Sequence, residues 1–332
     1  MPGDDSFQSS PAGAARPDTR EFEAHRGLLF SIAYRMLGSA SDAEDVVQDA
    51  WLRYSSAPPQ PIRSVRAYLS TIVTRLCLDR LKAARTTREQ YVGPWLPEPT
   101  LHGDREPNLA RAMEQRESIS LAFLVLLESL TPEERAVFLL REVFDYDYRD
   151  IAEILDLTPV NCRQLFHRAK QRLNEQRPGV GTPKWRASRA RHDRFVQAFM
   201  SAVSKGDLQE LQSLLHKDVV LRTDGGGKVK AALQPLFGRD AVSRFVLGVK
   251  KKVEDAAVAA GRGSDDAYTM SAGLVNGAPA IFVWHSGVLD AAIGLSGSDD
   301  GIFELDLVRN PDKLAWLLRE LSRDGGAGGI NS

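Results

Sequence analysis

Asn161, Arg163, Gln164, His167, Arg168, Lys170 and Arg172 fall on one side of any helix drawn through residues 158–173. Their chemistry suits nucleic acid. Arg, Gln and Asn form paired hydrogen bonds to base edges, and Arg and Lys neutralise phosphates. Cys162, Leu165, Phe166, Ala169 and Leu173 recur at helical spacing on the other side and predict a buried face. Thr158 and Pro159 suit the cap and first turn of this helix. Upstream, Asp147 is an N-cap candidate, Ile151, Ile154 and Leu155 form a helical stripe, and Asp156-Leu157 supplies a turn. Two short helices around a tight turn, the second polar and cationic outside, have the layout of a helix-turn-helix whose second helix enters the major groove. An ordinary amphipathic hairpin shares the pattern, so spacing alone leaves both readings open.

Composition narrows the classes. At 332 residues the chain predicts two or three domains, and its 43% hydrophobic and 26% charged residues are those of a soluble globular protein. No apolar run is long enough to cross a membrane, and no secretory h-region opens the sequence, which predicts a cytoplasmic protein. The two cysteines, Cys77 and Cys162, lie in apolar helical stripes and read as small core residues, with no metal site or disulfide expected. The net charge of −1 hides a local basic stretch. Between Arg163 and Arg194 there are ten Lys/Arg against two acids, Glu175 and Asp193.

The elements that would position these groups run in order. Residues 1–20 read as a disordered arm. A helix begins near Glu21 and stops at Gly38. The next opens with a capping box at Ser41–Glu44, buries Val47, Ala50, Trp51 and Tyr54, and carries Asp42, Asp45, Gln48 and Asp49 outside. Those acids fit a solvated face near a helix N-terminus or a docking surface for a basic partner. After Pro58, Pro59 and Pro61, residues 64–85 form a helix with Arg66, Arg75, Arg80, Lys82 and Arg85 outside, while Trp51 and Tyr68 are either core or base-stacking groups. Residues 89–110 form an acidic, proline-rich linker in which Trp95 and Leu96 are apolar enough to pack on a domain. Helix resumes by Ala110, and Thr131–Glu134 is a capping box. A second, basic linker covers 177–192. Phe195–Leu215 is an amphipathic helix, followed by strand-like runs VVLRT, YTMSAGLV, AIFVWH and GIFELDLV, an α+β pattern of antiparallel strands.

Three of these stretches together resemble one family. SDAEDVVQDAWLRY resembles region two of extracytoplasmic-function (ECF) RNA polymerase sigma factors, SVRAYLSTIVTRLCLDRLKAAR their promoter-melting helix, and LTPEERAVFLLREVFDYDYRDIAEILDLTPVNCRQLFHRAKQRL their region four. YVGPWLPEP, DGGGKV at 224–229 and NPDKL at 310–314 resemble motifs of the subgroup with a fused SnoaL-like C-terminal domain, so the likeness reaches most of the chain. It implies a multidomain architecture. Two all-α domains, region two (21–88) and the helix-turn-helix region four (111–176), are followed by an α+β cone at 193–322 and a flexible tail at 323–332.

The resemblance implies promoter DNA and core RNA polymerase as partners, the latter through the β′ clamp helices and the β subunit, with no catalysis and no cofactor. Asp45, Gln48 and Asp49 match the polymerase-binding face. Arg75, Arg80 and Lys82 fall in the −10 helix, and Asn161, Arg163, Gln164, His167 and Arg168 in the −35 helix. Leu165 stands where many relatives carry a basic residue, Arg75 where many carry asparagine, and Asp156 replaces a common turn glycine. Glu98, Asp104 and Glu106 would imitate nucleic-acid charge along an RNA path, or the linker simply spans. Trp95, Leu96, Pro97, Asp224, Gly225, Gly226, Gly227, Lys228, Asn310, Pro311, Asp312 and Lys313 are the expected interdomain regulatory residues, with Asp224 and Lys228 pairing across the contact. Such an extension implies regulation in cis without a separate anti-sigma protein, and room for a small ligand. Two alternatives remain. A ligand-responsive helix-turn-helix regulator would bind DNA without polymerase. A SnoaL-like isomerase or cyclase would use Asp290, His285 and Trp284 in an apolar cone.

Overall fold

A computed structural model describes residues 18–58, 62, 64–101, 120–176, 189–261, 263, 268–298 and 300–325. The arm up to residue 17, Pro59, Pro61, Asp104, Glu106, the helix start expected at Ala110, linker residues 177–188 and the tail from 326 lie outside that set.

The first helical layer is α1 (Thr19–Leu37), α2 (Ala40–Ser55) and α3 (Val65–Glu89). Asp18 caps α1, and Gly38 ends it in the left-handed region at φ 68°, with its N–H donating to the Tyr34 carbonyl. The cap of α2 is Ser39, whose side chain accepts from the Asp42 N–H, two residues before the box expected at Ser41. The second layer is α4 (Leu121–Leu127), α5 (Pro132–Phe138) with a π turn at Leu139–Val143, α6 (Tyr148–Leu155) and α7 (Pro159–Gln176). Here local chemistry is as expected. Thr131 and Glu134 form the reciprocal capping box, and Asp147 accepts from the Arg149 and Asp150 amides. Those amides hold the Asp147 carboxyl below its ordinary value. Asp156 adopts φ 55°, ψ 49°, a left-handed state that aspartate tolerates. Both helical layers share one core, in which Cys77 and Cys162 are fully buried and burial pushes their thiols up.

The C-terminal domain begins with α8 (Arg189–Lys205) and α9 (Leu208–Leu214). A single helix was expected there. Gly206 at φ 70° breaks it, and Asp207 caps the second piece. Six strands follow: β1 (Leu215–Asp224), β2 (Leu236–Phe237), β3 (Thr269–Val275), β4 (Ala278–His285), β5 (Val288–Ser298) and β6 (Gly301–Val308). Helix α10 (Arg239–Ala259) follows β2, and α11 (Pro311–Gly325) closes the domain. The sheet order is β2-β1-β6-β5-β4-β3. It is mixed, not wholly antiparallel: β1 and β6 pair in parallel, Leu221 opposite Leu305. The long β5 and α10 went unread in the sequence, β5 because its alanines and glycines carry little strand signal. One sheet face packs under α8, α9 and α10, and the other under α11 with Leu96 and Leu121. Trp316 of α11 stacks on Phe30 of α1, ring centroids 6.1 Å apart, and so joins the helical core.

Candidate functional site

The outer face of α7 is built as its spacing demanded. Cys162, Leu165, Ala169 and Leu173 are buried, and Arg163, Gln164, His167 and Arg168 surround an open surface hollow. Asn161 is half-buried, its N–H bonded to Thr158 Oγ. Glu134, already held by the Thr131 cap, takes Arg172 at 2.8 Å and Arg168 at 3.7 Å, fixing the cationic row against α5. The Arg163 guanidinium lies 5.4 Å above the Tyr148 ring. Phe166 is half-buried, stacked on Phe138.

The three α3 cations expected at the −10 element each have a partner on another helix. Arg75 donates to the carbonyls of Ile154 at 3.0 Å and Glu153 at 3.4 Å, at the C-terminal end of α6. A guanidinium there meets the partial negative charge of a helix end. Arg80 lies among Asp49 (3.1 Å), Asp42 (3.5 Å) and Asp45 (3.8 Å). Lys82 pairs with Glu133 of α5 at 3.1 Å. Thus Arg80 forms one network with Asp42, Asp45 and Asp49, the three acids of the expected docking face, with Gln48 exposed beside it. Trp51 sits edge-on to Phe22, and Tyr68 against Tyr54, as partly buried aromatics of the core.

The strap over residues 91–101 is held by buried polar groups. Asp224, fully buried at the end of β1, accepts from Tyr91 Oη at 2.6 Å, the Leu96 N–H at 2.9 Å, the Gly226 N–H at 3.0 Å and Lys313 Nζ at 2.7 Å. Lys313 also donates to the Leu96 carbonyl, and its ammonium lies 4.1 Å from the Trp95 ring centroid and 4.9 Å from that of Tyr91. Burial, then the Asp224 carboxylate, pushes the Tyr91 hydroxyl well above its ordinary value. Asn310 donates from Nδ2 to Tyr91 Oη at 2.9 Å. Gly226 lets the turn pass so close that a Cβ there would lie 2.2 Å from Asn310 Nδ2, at φ 60°. Gly225 faces the Val229 carbonyl and Gly227 the Val92 side chain. Pro311 and Asp312 open α11, and Asp312 pairs with Lys228. The expected Asp224–Lys228 pair is therefore replaced by two others, Asp224–Lys313 and Lys228–Asp312. Lys313, in the first turn of α11, is buried and reaches the carboxylate, while Lys228 projects from its turn toward solvent.

The strap's other flank grips the first helical layer. Trp95 and Pro97 cover Gly38. The Glu98 carboxylate accepts from the Ala40 and Ser41 amides at 2.8 and 3.0 Å and from the Ser39 and Ser41 hydroxyls, capping α2 from 58 residues away. Glu98 is buried, so in this conformation its charge serves a helix end and presents nothing to an RNA path. Tyr34 donates from Oη to the Glu98 carbonyl and receives Asn276 Nδ2. Asn276 exchanges bonds with Thr100, and Glu320 accepts from Thr100 Oγ and the Leu101 N–H. Tyr91, Tyr34, Asn276 and Glu320 escaped the sequence reading, since nothing local marks partners 133 to 242 residues apart. Of the groups considered for catalysis, Asp290 and His285 line a cavity of the C-terminal domain, but Trp284 is on the other sheet face, bonded to Ser271. Alternation along β4 separates it from His285.

Known proteins agree with this architecture. The Sigma-70 region 2 family matches residues 22–87 and the Sigma-70 region 4 family residues 120–173. ECF RNA polymerase sigma factor SigJ of Mycobacterium tuberculosis is 39% identical over 71% of this chain and 74% of its own. A probable ECF sigma factor of the same species, SigI, is 31% identical over 92% of this chain and 97% of its own. The crystal structure of the M. tuberculosis SigJ superposes with a TM-score of 0.68 at 32% identity, over 90% of this chain and 99% of that one. With regions 2 and 4 in order and a mixed-sheet domain behind them, the chain belongs to the ECF RNA polymerase sigma factors that carry a C-terminal extension.

Proposed function

We propose that this sigma factor is restrained in cis. Its C-terminal domain, through the 91–101 strap, holds regions 2 and 4 in a closed arrangement that must open before a promoter is read. The carrying observation is Arg75 of α3 bonded to α6 at 3.0 Å. Promoter elements centred about 25 base pairs apart lie on the order of 85 Å apart at 3.4 Å per step. Helices that touch cannot read both. In the open form Asp45, Gln48 and Asp49 dock on the basic β′ clamp helices, with β as a further contact. Arg75, Arg80 and Lys82 then engage the −10 element, and Asn161, Arg163, Gln164, His167 and Arg168 the −35 element. The −10 cations are present in the closed form, but there they are paired with α2, α5 and α6. The site of action is the cytoplasm; no helix among the described residues is long and apolar enough to cross a membrane.

The strap is what couples the extension to this closure. A separate anti-sigma protein is not required when Asp224, Lys313 and Asn310 act from the same chain. Run-off transcription with purified core polymerase, on a promoter selected from a random library, tests the proposal. A chain ending at Asn310, and full-length Asp224→Ala, should each give several-fold more transcript than the intact protein. Equal output from all three would sink it.

A further inference from the structure

The concave sheet face and helices α8 and α10 line a half-open cavity of about 140 Å³, apart from the helices that would read a promoter. Phe199, Val203, Leu221 and Leu305 form its buried floor, and Val249 and His285 its exposed rim. We propose that this cavity is a receptor site for a small neutral molecule, one ring in size and carrying a single hydrogen-bonding group, whose binding is transmitted to the strap through Arg309 and Asn310. The second half of this statement rests on the restraint proposed above; the first does not.

Size sets the first limit. An apolar cavity of ~150 Å³ holds a benzene ring, whereas sites for drug-sized ligands run to roughly 300–1,000 Å³. Charge sets the second. Arg309 is already bidentate to Asp290, at 2.9 and 3.1 Å, and donates its remaining arm to the Lys230 carbonyl at 2.9 Å. Lys250 is paired with Glu254 at 2.6 Å. An anionic ligand would have to displace a carboxylate from one of these cations, and a cationic ligand would meet the same arginine and lysine. The half-buried Tyr268 hydroxyl has no hydrogen bond among the described residues. Burial, then Glu254, pushes it up to about 12, so it stays neutral and able both to donate and to accept.

The route out of the cavity is one residue long. Arg309 lines the wall, and its N–H and that of Asn310 both donate to the Asp224 carbonyl, at 2.8 and 2.9 Å. Asn310 then holds Tyr91 Oη, which bonds the Asp224 carboxylate. A ligand that shifts Arg309 against Asp290 therefore moves the peptide that anchors the strap.

The test uses the full-length chain and p-cresol as a neutral one-ring probe, with benzoate as its charged counterpart. Titration calorimetry should give saturable one-to-one binding of p-cresol with a Kd on the order of 0.1–1 mM, as expected for eight non-hydrogen atoms. Benzoate should bind at least tenfold more weakly. Val249→Trp, at the exposed rim, should abolish binding with an unchanged melting temperature, and Val246→Phe provides a second filling variant. No saturable p-cresol binding, equal benzoate binding, or binding that survives both variants overturns the site. Hydrogen exchange of residues 91–101 should change severalfold on adding p-cresol to wild type and not to Val249→Trp. Binding without that change overturns the relay and leaves the site standing. The restraint itself is read separately, from Asp224→Ala transcription without any probe.

Discussion

Replacing Asp224 with alanine should release the strap, and the structure gives the size of the effect. Asp224 is 0% and Lys313 6% exposed, with their charged atoms 2.7 Å apart. Removing the carboxylate leaves a buried ammonium that has lost its carboxylate partner, beside the Leu96 carbonyl and the faces of Trp95 and Tyr91. Breaking one side of a buried pair costs about 3–5 kcal/mol, because the surviving charge stays desolvated. At about 1.4 kcal/mol per factor of ten, strap opening should become roughly a hundred- to several-thousand-fold more frequent. The readout is native-state hydrogen exchange at the Thr100 and Leu101 amides, whose acceptors Asn276 and Glu320 are untouched by the substitution. Adding Lys313→Met removes the stranded charge and should return exchange to within about tenfold of wild type, since an apolar replacement of a buried pair is often nearly neutral. Equal exchange in the single and double variants would refute the reasoning. So would a single variant within about fivefold of wild type.

Three further outcomes follow from the same region. Glu98→Gln should lower the urea stability of the protein by about 1–2 kcal/mol, since it removes a charge and weakens acceptors at the α2 N-terminus; an unchanged unfolding midpoint would contradict the capping role. Tyr91 has its folded value raised, by burial first and Asp224 second, so its contribution is complete below an unfolded value of about 10 and is lost as pH rises through the folded one. Wild type should therefore lose more urea stability between pH 8 and 10.5 than Tyr91→Phe does, and equal losses would count against the assignment. Gly226→Ala should destabilise more than Gly206→Ala as judged by urea midpoints. Both have positive φ, which costs alanine about 1 kcal/mol, but only at Gly226 would the new methyl meet Asn310.

Local chemistry made much of the helical part legible. Thr131 with Glu134, Asp147, Thr158 and Asp156 each act within four residues of themselves, so their roles follow from sequence order. The buried stripe of α7 was equally plain, because a period of 3.6 carries it. Ser41–Glu44 misled for the same reason. The capping pattern is present, but Glu98 arrives from the strap to occupy that helix end. Asp224 was legible as an interdomain residue and its partner was not, since Lys228 stands four residues away and Lys313 eighty-nine. The cations of α3 were recognised by type. Their engagement with α5, α6 and the α2 acids is a property of tertiary packing, which no helical period encodes.

The Glu98 cap also bears on how far the parts of this protein can be exchanged. Residues 91–101 are structural members of two units at once: their carboxylate completes α2, and their backbone completes the end of β1 and the start of α11. A chimera that grafts this C-terminal domain onto the helices of a relative must carry the strap with it. It must also find a serine-rich helix start, a left-handed glycine and a tyrosine waiting where Ser39, Ser41, Gly38 and Tyr34 stand. Cutting at the ends of the helices, where a domain boundary would ordinarily be drawn, would leave each piece with an open seam.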